Sequence, residues 1–467
     1  MAKAELTSGA AAFLAGIFVA SFLSGPFLAG FLILCGLAAL AAGAETRPAL
    51  LSMGAAFLGA LYLIFFMNLQ SAGRGLAYGE PAELRGVVRE VRMSGDTDVI
   101  EVSLLPPQGG RLRVISGRDS GLNYGDELYL AGIPEPPSSR LADPVMFFPR
   151  FKVTAKDRGN PVQARLLAIR AGFLDRLHLA LRPDSAALAG GLTLGAKDGF
   201  SAELKEKMRA SGTTHLVALS GYNVSILALA VSSALGAWFR RRTTFLLTVL
   251  AICLFVVMTG AEASLVRAAL MGILALLASQ IGRQYDISHA IVCAALLMAL
   301  WDPRLLYGDL GFQLSFLALL GVAYLSPVLA GLFPGSGRGS WLNWRENLLL
   351  TVSAQLAVLP LLLLNFREFS LAAVGANALI LGLVPLTMLL VFLTGLAGIL
   401  HAYFGTAIGW LAELPLGFEL AAINLFSALR LPVVLPAGWN WIFPAIYYAL
   451  LAAGVAWLGK RTRSRHA

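Results

Sequence analysis

The chain has 467 residues, 57% of them hydrophobic and only 13% charged. Soluble domains run at roughly 45–50% apolar and about 25% charged, so this composition excludes an ordinary water-soluble protein and puts much of the chain against lipid. The net charge of +9, from 36 basic and 27 acidic residues, reflects basic runs at the ends of apolar stretches. That is first of all the cytoplasmic bias of positive charge in membrane proteins, and only second a sign of a nucleic-acid partner.

Three apolar stretches open the chain, at about 9–24, 26–43 and 49–67, each near the roughly 20 residues that cross a bilayer. The first is followed at once by two more, so it reads as a span and not as a removable leader. Residues 78–158 differ abruptly, with 11 basic and 12 acidic residues. Short alternating runs such as Leu84 to Val91 and Leu112 to Ile115 are broken by turns such as Tyr124-Gly125-Asp126-Glu127. Period-two runs of this kind predict a small soluble β domain, and the length suits a five-stranded barrel of the OB type.

Residues 163–182 set Arg165, Arg170, Arg176 and Arg182 among Leu167, Phe173, Leu174 and Leu177. This basic amphipathic stretch predicts a helix lying in the membrane interface. Apolar character returns near residue 186 and persists. Further spans are expected near 213–239, 244–260, 263–281, 287–301, 311–331, 347–365, 371–400, 404–428 and 441–458, for about 12 transmembrane helices in all. The expected organisation is amino-terminal helices over 1–70, an extracytoplasmic β domain over 78–158, and an amphipathic and re-entrant segment over 163–211. A membrane domain over 212–459 and a basic tail over 460–467 follow. Threading twelve spans from an inside amino terminus places Arg240 to Arg242, Arg283, Arg338 with Arg345, and the tail Lys460, Arg461, Arg463 and Arg465 all on the cytoplasmic side. The fold class is therefore a polytopic α-helical membrane protein with an inserted small β-barrel.

Polar residues inside spans carry the functional signal. Arginine at mid-membrane costs about 2.5–3.5 kcal/mol on insertion scales, so Arg267 needs a polar neighbour or a wet cavity. It suits a buried structural cation or the lining of a path. A pairing with Glu262 across the helix start is poorly phased. On the same helix Ser264, Ala268, Gly272, Ala275 and Ser279 form a stripe of small residues that admits a close neighbour. Gln313, Gln355 and Asn377 each suit hydrogen-bonded glue between helices. Taken with Ser220 and Asn223 they point to a shared hydrated route. Pro327, Pro360, Pro385 and Pro415 interrupt their helices, as helices do where they line a cavity.

Other chemistries find no support. Residues 190–197, GGLTLGAK, put Ala196 where a phosphate-binding loop needs Lys. His178, His215, His289, His401 and His466 are dispersed, and Cys35, Cys253 and Cys293 lie in apolar stretches. No metal site, cofactor or disulfide framework is expected. Ser220 lacks a nucleophile elbow, so a serine hydrolase is not expected either.

Four blocks resemble the ComEC-type competence proteins. They are residues 212–224 (GTTHLVALSGYNV, with His215, Ser220 and Asn223), residues 264–271 (SLVRAALM, with Arg267) and residues 302–316 (DPRLLYGDLGFQLSF, with Gln313). The fourth is residues 355–360 with Gln355, followed by Phe369, Ser370 and Asn377. The blocks keep the family's order. The resemblance implies an inner-membrane channel that passes one DNA strand into the cytoplasm during natural transformation, and it implies an outside OB-like domain that handles DNA. It also implies a separate DNA receptor, a helicase-like motor and a nuclease. The candidate path is then His215, Ser220, Asn223, Arg267, Gln313, Gln355 and Asn377, with Arg165, Arg170 and Arg176 meeting the strand first. Two departures stand out: Asn223 replaces a frequent His, and a metallo-β-lactamase-like domain found in many members is not expected within these 467 residues. A transporter or flippase for a small or lipid-linked substrate is the alternative, and a membrane enzyme a more distant third.

Overall fold

The computed structural model describes residues 2–23, 47–72, 76–94, 97–118, 120–137, 143–197, 199–217, 219, 221–332, 344–366, 368–370, 372–429, 432–434 and 442–464. The chain divides into two compact units, residues 1–168 with 289–309 and residues 169–288 with 310–467. Among the described residues, eight helices are long and apolar enough to cross a membrane, and nine if one bent pair counts as a single span. Two shorter apolar helices, Ile287–Trp301 and Ile442–Leu458, accompany them. The expected span at 26–43 lies outside the described residues. Trp238, Trp301 and Tyr403 lie at helix ends and are among the most exposed large side chains, at 81–85%. Amphipathic rings so placed suit the two bilayer interfaces.

In the first unit, α1 (Ala2–Phe22) and α2 (Arg47–Ala72) pack closely against each other. Gly16 and Gly59 make it tight: a Cβ on Gly16 would strike the Ala56 carbonyl, and one on Gly59 the Phe13 carbonyl. Small residues at such crossings let backbones approach where no hydrophobic drive exists between helices. Tyr62 donates to the Leu300 carbonyl at 2.6 Å, tying the helix pair to helix 287–301.

The β domain of that unit is a seven-stranded sheet, where five strands were expected. In chain order the strands are β1 (Ala82–Ser94), β2 (Thr97–Leu104), β3 (Arg111–Gly117), β4 (Glu127–Gly132), β5 (Pro134–Glu135), β6 (Val145–Phe147) and β7 (Arg150–Ala155). They pair in the order β5-β6-β3-β2-β1-β4-β7. The two extra strands are two and three residues long, too short to leave a period-two signal. Strand β1 serves both halves, pairing β2 along its second part and β4 along its first, with a register shift between Val88 and Glu90. A bulge there bends and twists the long strand, which curls the sheet. Burial alternates along β2 and β3. Leu84, Val88, Ile100, Val102, Leu112, Val114, Leu128, Leu130 and Met146 fill the inside.

The second unit is helical. Helix α3 (Pro161–Ala180) leads into it. Then come α4 (Pro183–Leu194), α5 (Ala202–Ala210), α6 (Gly221–Gly236), α7 (Arg241–Met258) and α8 (Ala263–Gln280). After α9 (Ile287–Trp301) and the short α10 (Leu305–Gly308), the unit resumes with α11 (Leu310–Leu320). A widened turn over Gly321–Leu325 continues that helix into α12 (Ser326–Leu332). Pro327 lacks the N–H a regular turn needs, and Gly321 sits with its would-be Cβ 2.5 Å from the Ser353 carbonyl of α13 (Trp344–Phe366). Helices α14 (Ala372–Ile380) and α15 (Val384–Leu400) form the bent pair, at 57°. Helix α16 (Ala402–Ala428) runs back along α15, close enough that a Cβ on Gly405 would lie 2.7 Å from the Gly398 Cα.

Candidate functional site

Helix α4 organises the second unit. Its composition, PDSAALAGGLTL, is nearly free of bulk, and Ser185 through Leu194 are all buried. Pro183 occupies the first turn, where its missing N–H costs nothing, and Gly195 closes the other end at φ 64. Glu413 of α16 holds the start: one carboxylate oxygen accepts the Arg182 N–H at 2.7 Å, the other the Ser185 hydroxyl at 2.8 Å. A carboxylate is well matched to the positive end of a helix. At the other end Asn223 donates from Nδ2 to the Leu192 carbonyl at 2.8 Å. Asn223 is 6% exposed, so the buried helix holds it as a strut.

Three of the sequence blocks meet beside this helix. Ser264 donates to the Leu219 carbonyl at 3.0 Å. Gly221 faces Ala268, and a Cβ on Gly272 would lie 3.5 Å from Val224, so α6 lies on the small-residue stripe of α8. Arg267, half-buried on α8, donates from Nε to the Ser315 hydroxyl of α11. Its guanidinium carbon lies 5.7 Å from the centre of the Phe316 ring, and one terminal nitrogen sits 3.9 Å from the Met271 sulfur. No carboxylate among the described residues pairs with Arg267. Glu262 turns instead to Lys197, at 2.8 Å, in keeping with its poor phase toward Arg267.

Of the remaining expected path residues, Gln313 lies on a helix of this junction and Gln355 on a helix packed against it; among the described residues no contact brings His215 or Asn377 to it. Gln313 is half-buried on α11, and Gln355 half-buried on α13, the helix that packs against α11. His215 is exposed in the turn Thr214–Leu216, its Nδ1 3.1 Å from the Gly212 carbonyl. Asn377, on α14, is 2% exposed and its Oδ1 has no hydrogen-bond partner. Ser220 lies outside the described residues. On α3, the helical repeat of 100° per residue sets Arg165 and Arg176 within about 20° of each other, and both are exposed. Arg170 falls on the side of the buried Phe173 and Leu177, with its Nε shut from solvent. The three arginines therefore do not share one face.

Residues 192–461 match the model of a family described as Competence protein. The chain belongs to the competence protein family. It is 27% identical over 277 residues to ComE operon protein 3 of Bacillus subtilis (strain 168), across 57% of this chain and 34% of that relative. The aligned part thus spans about a third of the relative's length. No solved structure matches the chain. The ComEC-type resemblance read from the four blocks is therefore correct, and with its apolar helices the chain is a multi-pass membrane protein of this family.

Sequence reasoning missed two carboxylates of this family member, Glu413 and Glu419 on α16. Both sit within a 27-residue apolar helix, where an ionisable group is as costly as Arg267 is on α8. Their isolation in that run was the available signal.

Proposed function

We propose that this chain forms the channel of an inner-membrane system that brings single-stranded DNA into the cytoplasm during natural transformation. The observation that carries this reading is Arg267. A half-buried guanidinium without a partner carboxylate among the described residues, held between α8 and α11 where three family blocks meet, is suited to an anion that passes and does not stay. Neutral Gln313 on α11 and Gln355 on the neighbouring α13 provide hydrogen bonding without trapping a polyanion. The reading includes twelve membrane crossings, an OB-type β domain on the outer side, and separate proteins acting as DNA receptor, helicase-like motor and nuclease.

The exposed face of α3 supplies a basic surface for the incoming strand. Phosphate neutralisation by Lys and Arg dominates such binding. Reversing Arg165 and Arg176 together to Glu is expected to lower uptake of labelled DNA about tenfold, corresponding to roughly 1.4 kcal/mol over two phosphate contacts, with membrane abundance unchanged. Unchanged uptake in the double variant removes this surface from the route. A flippase is separated by the same cells: loss of lipid translocation with intact DNA uptake favours that alternative.

A further inference from the structure

Glu413 is fully used as the cap of α4, but Glu419 is not. Glu419 is 1% exposed, with Oε1 2.6 Å from the Thr387 Oγ1 and Oε2 without any hydrogen-bond partner. The Thr387 Oγ1 also lies 3.1 Å from the Leu383 carbonyl, one turn back. A hydroxyl has one hydrogen to give. Elsewhere in this unit the buried Thr193, Thr248, Thr394 and Ser353 give theirs to the carbonyl four residues back, at 2.7–2.8 Å, whereas Ser185 gives its own to the Glu413 carboxylate, at 2.8 Å. The contact with Glu419 is the shorter of the two Thr387 makes, so its hydroxyl donates to Oε1 and Oε2 is left buried without a donor. The distance is that of an O–H···O bond.

The surroundings favour the neutral acid. Helices α14 and α15 carry no titratable side chain, α16 carries Glu413 and, in its first turn, Tyr403 besides, and α4 only Asp184. Helix α5 packs on α16 with its buried Leu204 and Met208. It keeps Glu203, Lys205, Glu206 and Arg209 exposed, with Lys207 paired to Glu203. Helix α3, with Arg170, Asp175, Arg176 and His178, meets α16 at Gly409, well over two turns before Glu419. Among the described residues no cation reaches the carboxyl, and a lone buried carboxylate takes up a proton before it stays charged.

Thr387 sits in the first turn after the break at residues 381–383, where α14 and α15 bend by 57°. Pro385 brings no N–H, so the Leu381 carbonyl loses the donor a continuous helix would supply. On the other side of the break, Asn377 Oδ1 is buried without a partner. Acceptor oxygens short of hydrogens thus flank a hinge in a membrane span, where water enters if the hinge opens.

From this we infer that Glu419 is a proton-exchange site inside the membrane, governed by the break between α14 and α15. With the break closed, the buried carboxyl stays protonated while accepting from Thr387. Opening admits water, the O–H bond of Glu419 breaks, and the proton passes to that water. The carboxylate left behind must take a new proton before the break can close dry again. What this exchange drives, namely passage of the strand, rests on the proposed function; the protonation itself does not.

The test is infrared difference spectroscopy of the full chain in lipid nanodiscs without DNA. At neutral pH the wild type is expected to show a carboxylic-acid C=O band that is absent from Glu419→Gln, and Thr387→Val is expected to shift that band. If Glu419→Gln does not fold, Glu419→Asp replaces it, with a moved band expected. Absence of an acid band at neutral pH, or its disappearance on adding sodium alone, overturns the inference. In cells, Glu419→Gln is expected to uncouple DNA uptake from the transmembrane proton gradient. Uptake in that variant that still collapses with the gradient as in the wild type overturns the coupling.

Discussion

Replacing Arg304 by methionine is expected to destabilise the first unit by about 3 kcal/mol, because it breaks a charge cluster that is largely out of water. The guanidinium grips Asp302 through Nε at 2.9 Å and Nη2 at 2.7 Å, and reaches Asp143 at 3.3 Å. The Arg304 side chain is 13% exposed, and Asp302 and Asp143 are 17% and 19% exposed. Hydrogen bonding to Asp302 in particular, and the charges of both carboxylates, push the Arg304 guanidinium above its ordinary value against its burial. It therefore stays charged throughout the physiological range. The Phe66 ring of α2 lies 6.0 Å from its centre, so one side chain joins a membrane helix, a loop of the β domain and the turn after α9. Without it, two carboxylates face each other half-shielded. Thermal unfolding in nanodiscs and limited proteolysis of residues 76–158 report the loss. Adding Asp302→Asn and Asp143→Asn to Arg304→Met should restore most of it, since removing all three charges leaves none unpaired. Failure of the triple variant to recover would assign the effect to packing.

The second large effect is on transport. Arg267→Gln is expected to lower DNA uptake about ten- to a hundredfold, the weight of one charge-assisted hydrogen bond to phosphate at roughly 1.5–3 kcal/mol. Arg267→Lys keeps the charge but loses the fork held by Ser315, and is expected to fall between. Ser315→Ala frees the guanidinium without removing it and should cost less than Arg267→Gln. A purely structural arginine gives a different ordering: Arg267→Gln would lower the amount of folded protein in the membrane in proportion to uptake. Uptake per folded molecule decides between them.

Much of the architecture was legible because lipid imposes length and polarity on whole segments. The apolar runs near 244–260, 263–281 and 404–428 emerged as helices Arg241–Met258, Ala263–Gln280 and Ala402–Ala428. The run near 371–400 emerged as two helices, because Pro385 and the preceding turn break it. Alternation along 97–104 and 111–117 became paired strands. Side-chain roles were less legible, because an amide in a span looks the same whether it meets water or a carbonyl. Asn223 was expected on a path and holds the end of α4, which the sequence could not reveal without knowing what packs there. Arg170 shared a basic stretch with Arg165 and Arg176 but not their face, a distinction that follows from helical phase. Glu419 gives no signal beyond its own charge, since an acid within an apolar run belongs to no motif and no repeat.

The most direct measurement places a photo-crosslinking amino acid at single positions of the full chain and captures labelled DNA during uptake in living cells. Crosslinks to a single strand are expected from positions 267 and 313, and none from the exposed, lipid-facing Leu250 or Leu414. Cells that take up DNA normally while neither 267 nor 313 crosslinks to it would contradict a route through this junction.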